Sequence, residues 1–234
     1  MQVISLVGFA KSGKDTAARH LVEQHGFIPF SFAEALKDAL AAIFCWERSM
    51  LEGITPQSRA WREQVDPWWE ERLGIKGFSP RMAMQLVGTN LFREHFNQNI
   101  WINNIDRKLS LLPADSRVVL IDGRFPNELD LGRKKYGSTV IRVKRGPEPP
   151  WWDQAMIVNG YKTQNDQYIR DTFRGGWIAD GGHYPLNDFI RYDLEKKAHE
   201  SEWAWIGYPV DVTLHNEKTI EALHEGIARL ALAA

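Results

Sequence analysis

A single cysteine, Cys45, stands in 234 residues, so no disulfide can form within the chain and a reducing compartment is expected. Cys45 falls on an apolar helical stretch, where a packed thiol is expected rather than a nucleophile. No apolar run reaches about 18 residues, which predicts the absence of a membrane-spanning helix. A charged-then-apolar leader is also missing, because residues 2 to 7 make only one short strand before Gly8. A soluble, cytoplasmic protein is the expectation. Neither sign of charge dominates: 29 Lys and Arg against 30 Asp and Glu give −1 at pH 7. That excludes a general attraction to nucleic acid or to anionic membranes, and any polyanion contact has to come from a local cluster. No internal repeat or low-complexity tract is present.

What is there begins at the amino end. Val3, Ile4, Leu6 and Val7 form an apolar, strand-like run, and Gly8-Phe9-Ala10-Lys11-Ser12-Gly13-Lys14-Asp15-Thr16 follows it directly. Gly8 and Gly13 permit a tight loop whose amides point inward at an anion. Lys14 can reach the β and γ phosphates, and a helix starting near Lys14 adds the positive end of its dipole. A strand, turn and helix that merely contain Gly and Lys would not explain a Lys immediately after the second Gly. The general motif places Ser or Thr after that Lys to hold Mg²⁺. Here Asp15 comes next and Thr16 follows, so the metal ligand is open between the two.

With 44% hydrophobic residues the chain can bury one substantial core, and one domain over 1–234 is the expectation. Strand-like runs at Val3–Val7, Val118–Ile121, Thr139–Val143 and Val210–Leu214 alternate with helical patterns. The alternation predicts an α/β fold, a mostly parallel sheet flanked by helices. Ser79 and Pro80 read as a cap and first-turn pair opening a helix to about Phe96, and Pro126 opens another to about Lys135. Asn216 is placed to cap a last helix carrying Ile220, Leu223, Ile227 and Leu230 on one face. Residues 146–209 interrupt the alternation, with prolines and glycines interleaved with Trp151, Trp152, Trp177, Trp203 and Trp205. Too aromatic for a linker and too rich in breakers for one helix, this stretch is expected to pack on the body as an inserted lid or an oligomer contact.

Two further constellations carry chemistry. Asp122-Gly123-Arg124-Phe125-Pro126-Asn127-Glu128 follows the run Val118–Ile121, at the strand edge where open α/β sheets bind ligands. Asp122 can order Mg²⁺ through water or accept a bond from the loop, and Arg124 can pair with phosphate oxygens, unless the two form only a surface pair. In Ser79-Pro80-Arg81-Met82-Ala83-Met84-Gln85-Leu86-Val87-Gly88-Thr89, Arg81 and Gln85 share a helix face. A guanidinium fork beside an amide suits a phosphate and a base edge, although such a pair is also an ordinary solvated face.

Taken with Phe32-Ala33-Glu34-Ala35-Leu36-Lys37, Trp101, His199-Glu200-Ser201-Glu202 and the run Asp211 to Leu223, these motifs stand in the order seen in the phage-type deoxynucleoside monophosphate kinases. The chain resembles that family over most of 1–145 and 199–232, and Asp15 after Lys14 is expected there. The long insertion before His199 departs from the shorter family pattern. The resemblance implies a P-loop kinase fold, and transfer of the ATP γ-phosphoryl group, with Mg²⁺, to a deoxynucleoside monophosphate. It would act in the host cytoplasm if the chain is phage-encoded.

On that reading Lys14 and the amides from Gly8 through Ser12 and Gly13 to Thr16 hold the ATP phosphates. Lys11 sits between donor and acceptor, and Asp15 or Thr16 with Asp122 lies near Mg²⁺. Lys37, Arg81, Gln85, Asp122 and Arg124 take the acceptor, and Lys11, Lys14 and Arg124 are the catalytic cations. Phe32 and Trp101 are candidates to stack on the base or else core aromatics. Arg142 and Arg145, after the strand at 139 to 143, are candidate lid-side phosphate clamps, with a solvated edge as the alternative for Arg142. His199 and Glu202, set at i and i+3 on one helix face, belong to the family signature without an assigned role. The expected partners are small nucleotides and a second copy of the chain in a homodimer. Competing readings are a dephospho-coenzyme A kinase-like enzyme and a nucleotide-hydrolysing switch. Against the switch, Gly123 stands where a water-orienting carboxylate is usual.

Overall fold

In the computed structural model, which describes residues 1–161 and 186–233, five parallel strands lie in the order β2-β3-β1-β4-β5. They are β1 (Gln2–Val7), β2 (Ile28–Phe30), β3 (Arg117–Leu120), β4 (Thr139–Lys144) and β5 (Val212–His215). β1 takes the centre because Val3, Ile4, Leu6 and Val7 give it apolar side chains on both faces, all of them buried. Ser5 sits opposite Leu120 on one side and Val140 on the other. Since every pairing is parallel, all five strands deliver the chain to one edge of the sheet.

Four of the strands coincide with the sequence pattern to within two residues. β2 does not show in that pattern: it is three residues long with Pro29 at its centre. It pairs on one side only, with β3, and an edge strand tolerates a proline.

Helix α1 (Lys14–His25) joins β1 to β2. Between β2 and β3 come α2 (Glu34–Phe44), α3 (Arg48–Glu52), α4 (Pro56–Glu63), α5 (Pro67–Leu73), α6 (Pro80–Gln85) and α7 (Ile100–Leu109). The helix expected from Pro80 to Phe96 is there, but it widens to a π-helix over Leu86–Phe96. Likewise α8 (Pro126–Asp130) runs on as a π-helix over Leu131–Lys135. After β4, α9 (Trp152–Val158), α10 (Leu186–Glu195) and α11 (Glu200–Trp203) precede β5, and α12 (Ile220–Ala233) follows it. Among the described residues no helix is long and apolar enough to cross a membrane.

One face of the sheet packs on α1 and α12, with Leu21 and Ile227 against Ile4, Leu6 and Ile141. Another cluster joins Leu36, Leu40, Phe78, Trp101 and Ile105 to Val3, Val118 and Leu120. A third gathers Val7, Leu129, Trp203, Trp205, Ile206 and Tyr208. Burying one such Leu or Ile side chain contributes roughly 1.5–3 kcal/mol.

Three local expectations are corrected here. The expected helix cap Asn216 lies outside α12, whose first turn is instead capped by Thr219 Oγ1, accepting from the Ala222 amide at 3.3 Å. Cys45 is exposed, because α2 ends at that residue in a left-handed conformation with φ 55° that turns the thiol away from the core. Trp151, Trp152, Trp203 and Trp205, in the stretch expected to form a lid or an oligomer contact, turn inward: Trp203 and Trp205 are buried, and Trp151, Trp152 and Trp205 all pack on Phe9. Trp177 and most of the insertion lie outside the described residues.

Candidate functional site

The loop after β1 is shaped by its glycines. Gly8 has φ 148° and Gly13 φ 103°, both unfavourable to a side chain. A Cβ on Gly8 would stand 2.4 Å from the Val143 carbonyl oxygen, and one on Gly13 would stand 2.3 Å from Asn216 Nδ2. Between them the Ser12 amide donates to the Phe9 carbonyl at 3.2 Å, and Lys11 takes a left-handed φ of 65° with its side chain exposed. The loop is held from β5 as well: Asn216 Nδ2 donates to the Ser12 carbonyl at 2.8 Å, while the Asn216 amide donates to the Lys144 carbonyl at 2.8 Å. Gly13 then caps α1 without any side-chain bond to the helix's first amides, which leaves them free for an anion.

Lys14 opens α1 with its side chain only 11% exposed, 3.9 Å from the Asp15 carboxylate. Burial pushes its ammonium pKa down, opposed by Asp15 and assisted by the Arg124 guanidinium. A buried cation that also feels a second one is poised to gain from an incoming polyanion. Asp15 is exposed and Thr16 half-buried in the same first turn, and a carboxylate beside a hydroxyl fits a hard, partly hydrated cation such as Mg²⁺.

Asp122, at the end of β3, is committed elsewhere. Its Oδ2 accepts from Ser31 Oγ at 2.7 Å and the Ala33 amide at 3.2 Å, and Oδ1 accepts from the Phe32 amide at 2.8 Å. Direct binding of the acceptor by Asp122 is therefore corrected: both oxygens fasten the β2–α2 turn beside the loop.

Arg81 from α6 and Arg124 from the β3–α8 turn come together on one atom. Arg81 Nη2 donates to Glu202 Oε1 at 2.9 Å and Arg124 Nη1 donates to the same oxygen at 3.0 Å. Arg81 also lies 3.6 Å from Glu63, and Arg124 Nη1 is 3.5 Å from the Ser201 carbonyl. Burial pushes the Glu202 carboxyl upward, but the Arg124 and Arg81 guanidinium groups outweigh it and hold the pKa below the usual carboxylate value. His199 does not share a helix face with Glu202. It caps α11 from outside, its Nδ1 accepting from the Ser201 amide at 3.2 Å. Burial holds its pKa down against Glu202.

The turn carrying Arg124 is rigid for a reason the motif does not disclose. Glu128 is buried, with Oε2 accepting from the Arg124 amide at 2.7 Å and the Phe125 amide at 3.1 Å, and Oε1 paired with buried Arg93. Burial raises the Glu128 carboxyl to about 7 against the pull of Arg93 and of these amides. Arg93 in turn lies 4.0 Å over the Phe125 ring.

Other candidates fall outside this group. Phe32 and Trp101 are core aromatics and not base platforms: both are buried in one apolar cluster, and Trp101 Nε1 donates to the Gly88 carbonyl at 2.9 Å. Lys37 Nζ donates to Glu52 at 2.6 Å, so its charge is already paired. Gln85 is half-buried one turn beyond Arg81. Arg142 is on neither a solvated edge nor an open clamp. It pairs with Glu148 at 2.6 Å and lies 4.4 Å over Trp152 and 5.2 Å from the Trp205 ring. Arg145 is exposed and lines a cavity of about 350 Å³ with Lys11, Ser12, Lys144 and Glu148, on the β4 side of the loop.

Asn216, Glu202, Arg93 and Glu128 are thus the supporting residues to which the sequence alone assigned no such role. Their partners are distant in the chain, and only for Glu128 does a signal exist: Pro126 followed by a carboxylate in the first helical turn is a helix-start pattern.

No family model matches the chain. A protein of Acanthamoeba polyphaga mimivirus, provisionally named a deoxynucleotide monophosphate kinase, is 33% identical over 155 residues, 62% of this chain and 75% of that protein. Among solved structures, the Thermus thermophilus protein TT1252 aligns over 99% of this chain and 96% of its own, with TM-score 0.41 and 18% identity. A gluconokinase from Sinorhizobium meliloti aligns over 99% and 94%, with TM-score 0.38 and 13% identity. A glycine-shaped loop with a buried lysine, an arginine pair at the neighbouring strand end and a relative spanning three quarters of its length lead to one assignment: the chain belongs to the deoxynucleotide monophosphate kinase family.

Proposed function

We propose that the chain transfers the γ-phosphoryl group of ATP to a deoxynucleoside monophosphate, giving the diphosphate. The observation that carries this reading is the convergence of Arg81 and Arg124 on one carboxylate oxygen beside the loop that presents Lys14. Two guanidinium groups able to share one anionic oxygen suit the acceptor's phosphate, and Lys14 with the α1 amides suits the donor's.

The chemistry asks little else of the protein. A phosphate monoester has its second pKa near ~6, so the attacking oxygen is already largely ionised at neutral pH and no general base is required. Catalysis then rests on alignment of two polyanions and on neutralising the charge between them. Asp15 and Thr16 are the residues that would hold Mg²⁺, which when bound offsets negative charge on the ATP phosphates.

The test is turnover with Mg²⁺ and ATP against a panel of deoxy- and ribonucleoside monophosphates, with products separated. Formation of a diphosphate from at least one deoxynucleoside monophosphate is expected. Steady ATP hydrolysis indifferent to every acceptor would reject the reading in favour of a switch. Arg81→Ala should raise the acceptor KM or lower kcat while ATP binding is kept. Equal losses for both substrates would count against the assignment of Arg81.

A further inference from the structure

Arg62, on α4, is a cation without an adequate counterpart. Its Nε is buried and has no hydrogen-bond partner among the described residues, and the bond from Nη1 to the Leu51 carbonyl is long at 3.5 Å. Burial pushes its pKa down, with Arg81, Arg124 and Arg59 adding to the effect and Glu63 alone opposing. An arginine in such company is costly to keep unless something negative arrives.

A purely structural task is already filled by a neighbour. The carbonyls that end α3, those of Gly53 and Ile54, accept from Arg59 Nε and Nη2, each at 2.9 Å. Meanwhile the backbone makes room for the second guanidinium. A Cβ on Gly53 would lie 2.4 Å from Arg62 Cζ, so the group rests directly on a glycine. Its position ties it to the arginine pair: Glu63, the next residue, lies 3.6 Å from Arg81 Nε, and Arg124 is within electrostatic reach. Lys14, Arg62, Arg81, Arg93 and Arg124 share three shielded carboxylates, Asp122, Glu128 and Glu202, while Asp15 and Glu63 are exposed. Five positive charges against three leave an excess of two that matches a phosphate monoester, which carries about −2 at neutral pH.

We infer that Arg62 is a further ligand for the acceptor's phosphate, completing with Arg81 and Arg124 a three-guanidinium clamp. This rests on the proposed transfer to a nucleoside monophosphate. Swung off Gly53 onto the phosphate, the guanidinium would give Nε the acceptor it lacks, and its fork geometry would distinguish a phosphorylated acceptor from its free nucleoside.

The experiment measures KM for ATP and for the best deoxynucleoside monophosphate in wild type, Arg62→Gln and Arg62→Lys, alongside inhibition by the corresponding free deoxynucleoside and a melting curve. Arg62→Gln is expected to raise the acceptor KM about tenfold or more. The ATP KM and inhibition by the nucleoside should each stay within about twofold, and Arg62→Lys should recover part of the loss. A folded Arg62→Gln with an acceptor KM within about twofold of wild type, or one that loses both substrates equally, overturns the inference. Should Arg62→Gln not fold, Arg62→Lys is judged alone: a raised acceptor KM at constant ATP KM supports it, and an unchanged one overturns it. Wild-type protein that phosphorylates no monophosphate defeats the functional reading itself, a result distinct from active wild type with an indifferent Arg62.

Discussion

Asn216 Nδ2 donates to the Ser12 carbonyl at 2.8 Å, so the far end of β5 steadies the loop that follows β1. The same side chain fills the space a Cβ on Gly13 would need. Asn216→Ala removes the bond and opens that space. A several-fold rise in the ATP KM, a much smaller change for the acceptor and a stability loss of about 1 kcal/mol are expected. Titration with a non-hydrolysable ATP analogue and a denaturant melt would check both, and unchanged nucleotide affinity would dismiss this role for the amide.

On the proposed function, Lys14 is the charge aimed at the transferring group. Replacing it with Ala removes a buried ammonium that gains contacts as negative charge shifts in the transition state. Turnover is expected to fall by on the order of 10² or more, while the melting temperature holds or rises because a desolvated cation has gone. Steady-state rates and a thermal scan measure the two effects, and near-normal turnover would refute the assignment.

A pH series tests the carboxylate between the arginines. With the Glu202 pKa depressed in the folded chain, its ionised form favours folding above the ordinary carboxylate value of 4.5, and that contribution is lost as pH falls through the lower folded value. Glu202→Gln should therefore cost about 1 kcal/mol at pH 7, a modest figure because Arg124 is 40% exposed. The gap to wild type should close on acidification below pH 4.5. Urea melts of both proteins across that range would show it. A gap that stays constant with pH would mean that the carboxylate's charge is not what matters.

The loop, the alternating elements and the arginines were legible because their signals are local: two glycines and a lysine within seven residues, apolar runs, a proline after a cap. What joins them is not local. Arg81 and Arg124 meet Glu202 across 121 and 78 residues, and Asn216 meets Ser12 across 204. No spacing rule spans such distances. Phe32 and Trp101 fail as base platforms for a related reason, since an aromatic ring serves a core or a ligand equally well and burial is decided by what packs on it. Arg142 shows the same limit: alternation along β4 assigns a face, but only the fold brings Trp152 and Trp205 across that face.

Phe9, inside the phosphate-binding loop, meets Trp151, Trp152 and Trp205 edge-on, at 5.8, 6.0 and 5.1 Å between ring centres. Three bulky indoles therefore brace the cradle from behind, and its curvature is set before any nucleotide arrives. The tryptophans that looked like equipment for meeting a neighbour act as a keystone for the molecule's own grip, so loosening them would slacken the loop that carries Phe9.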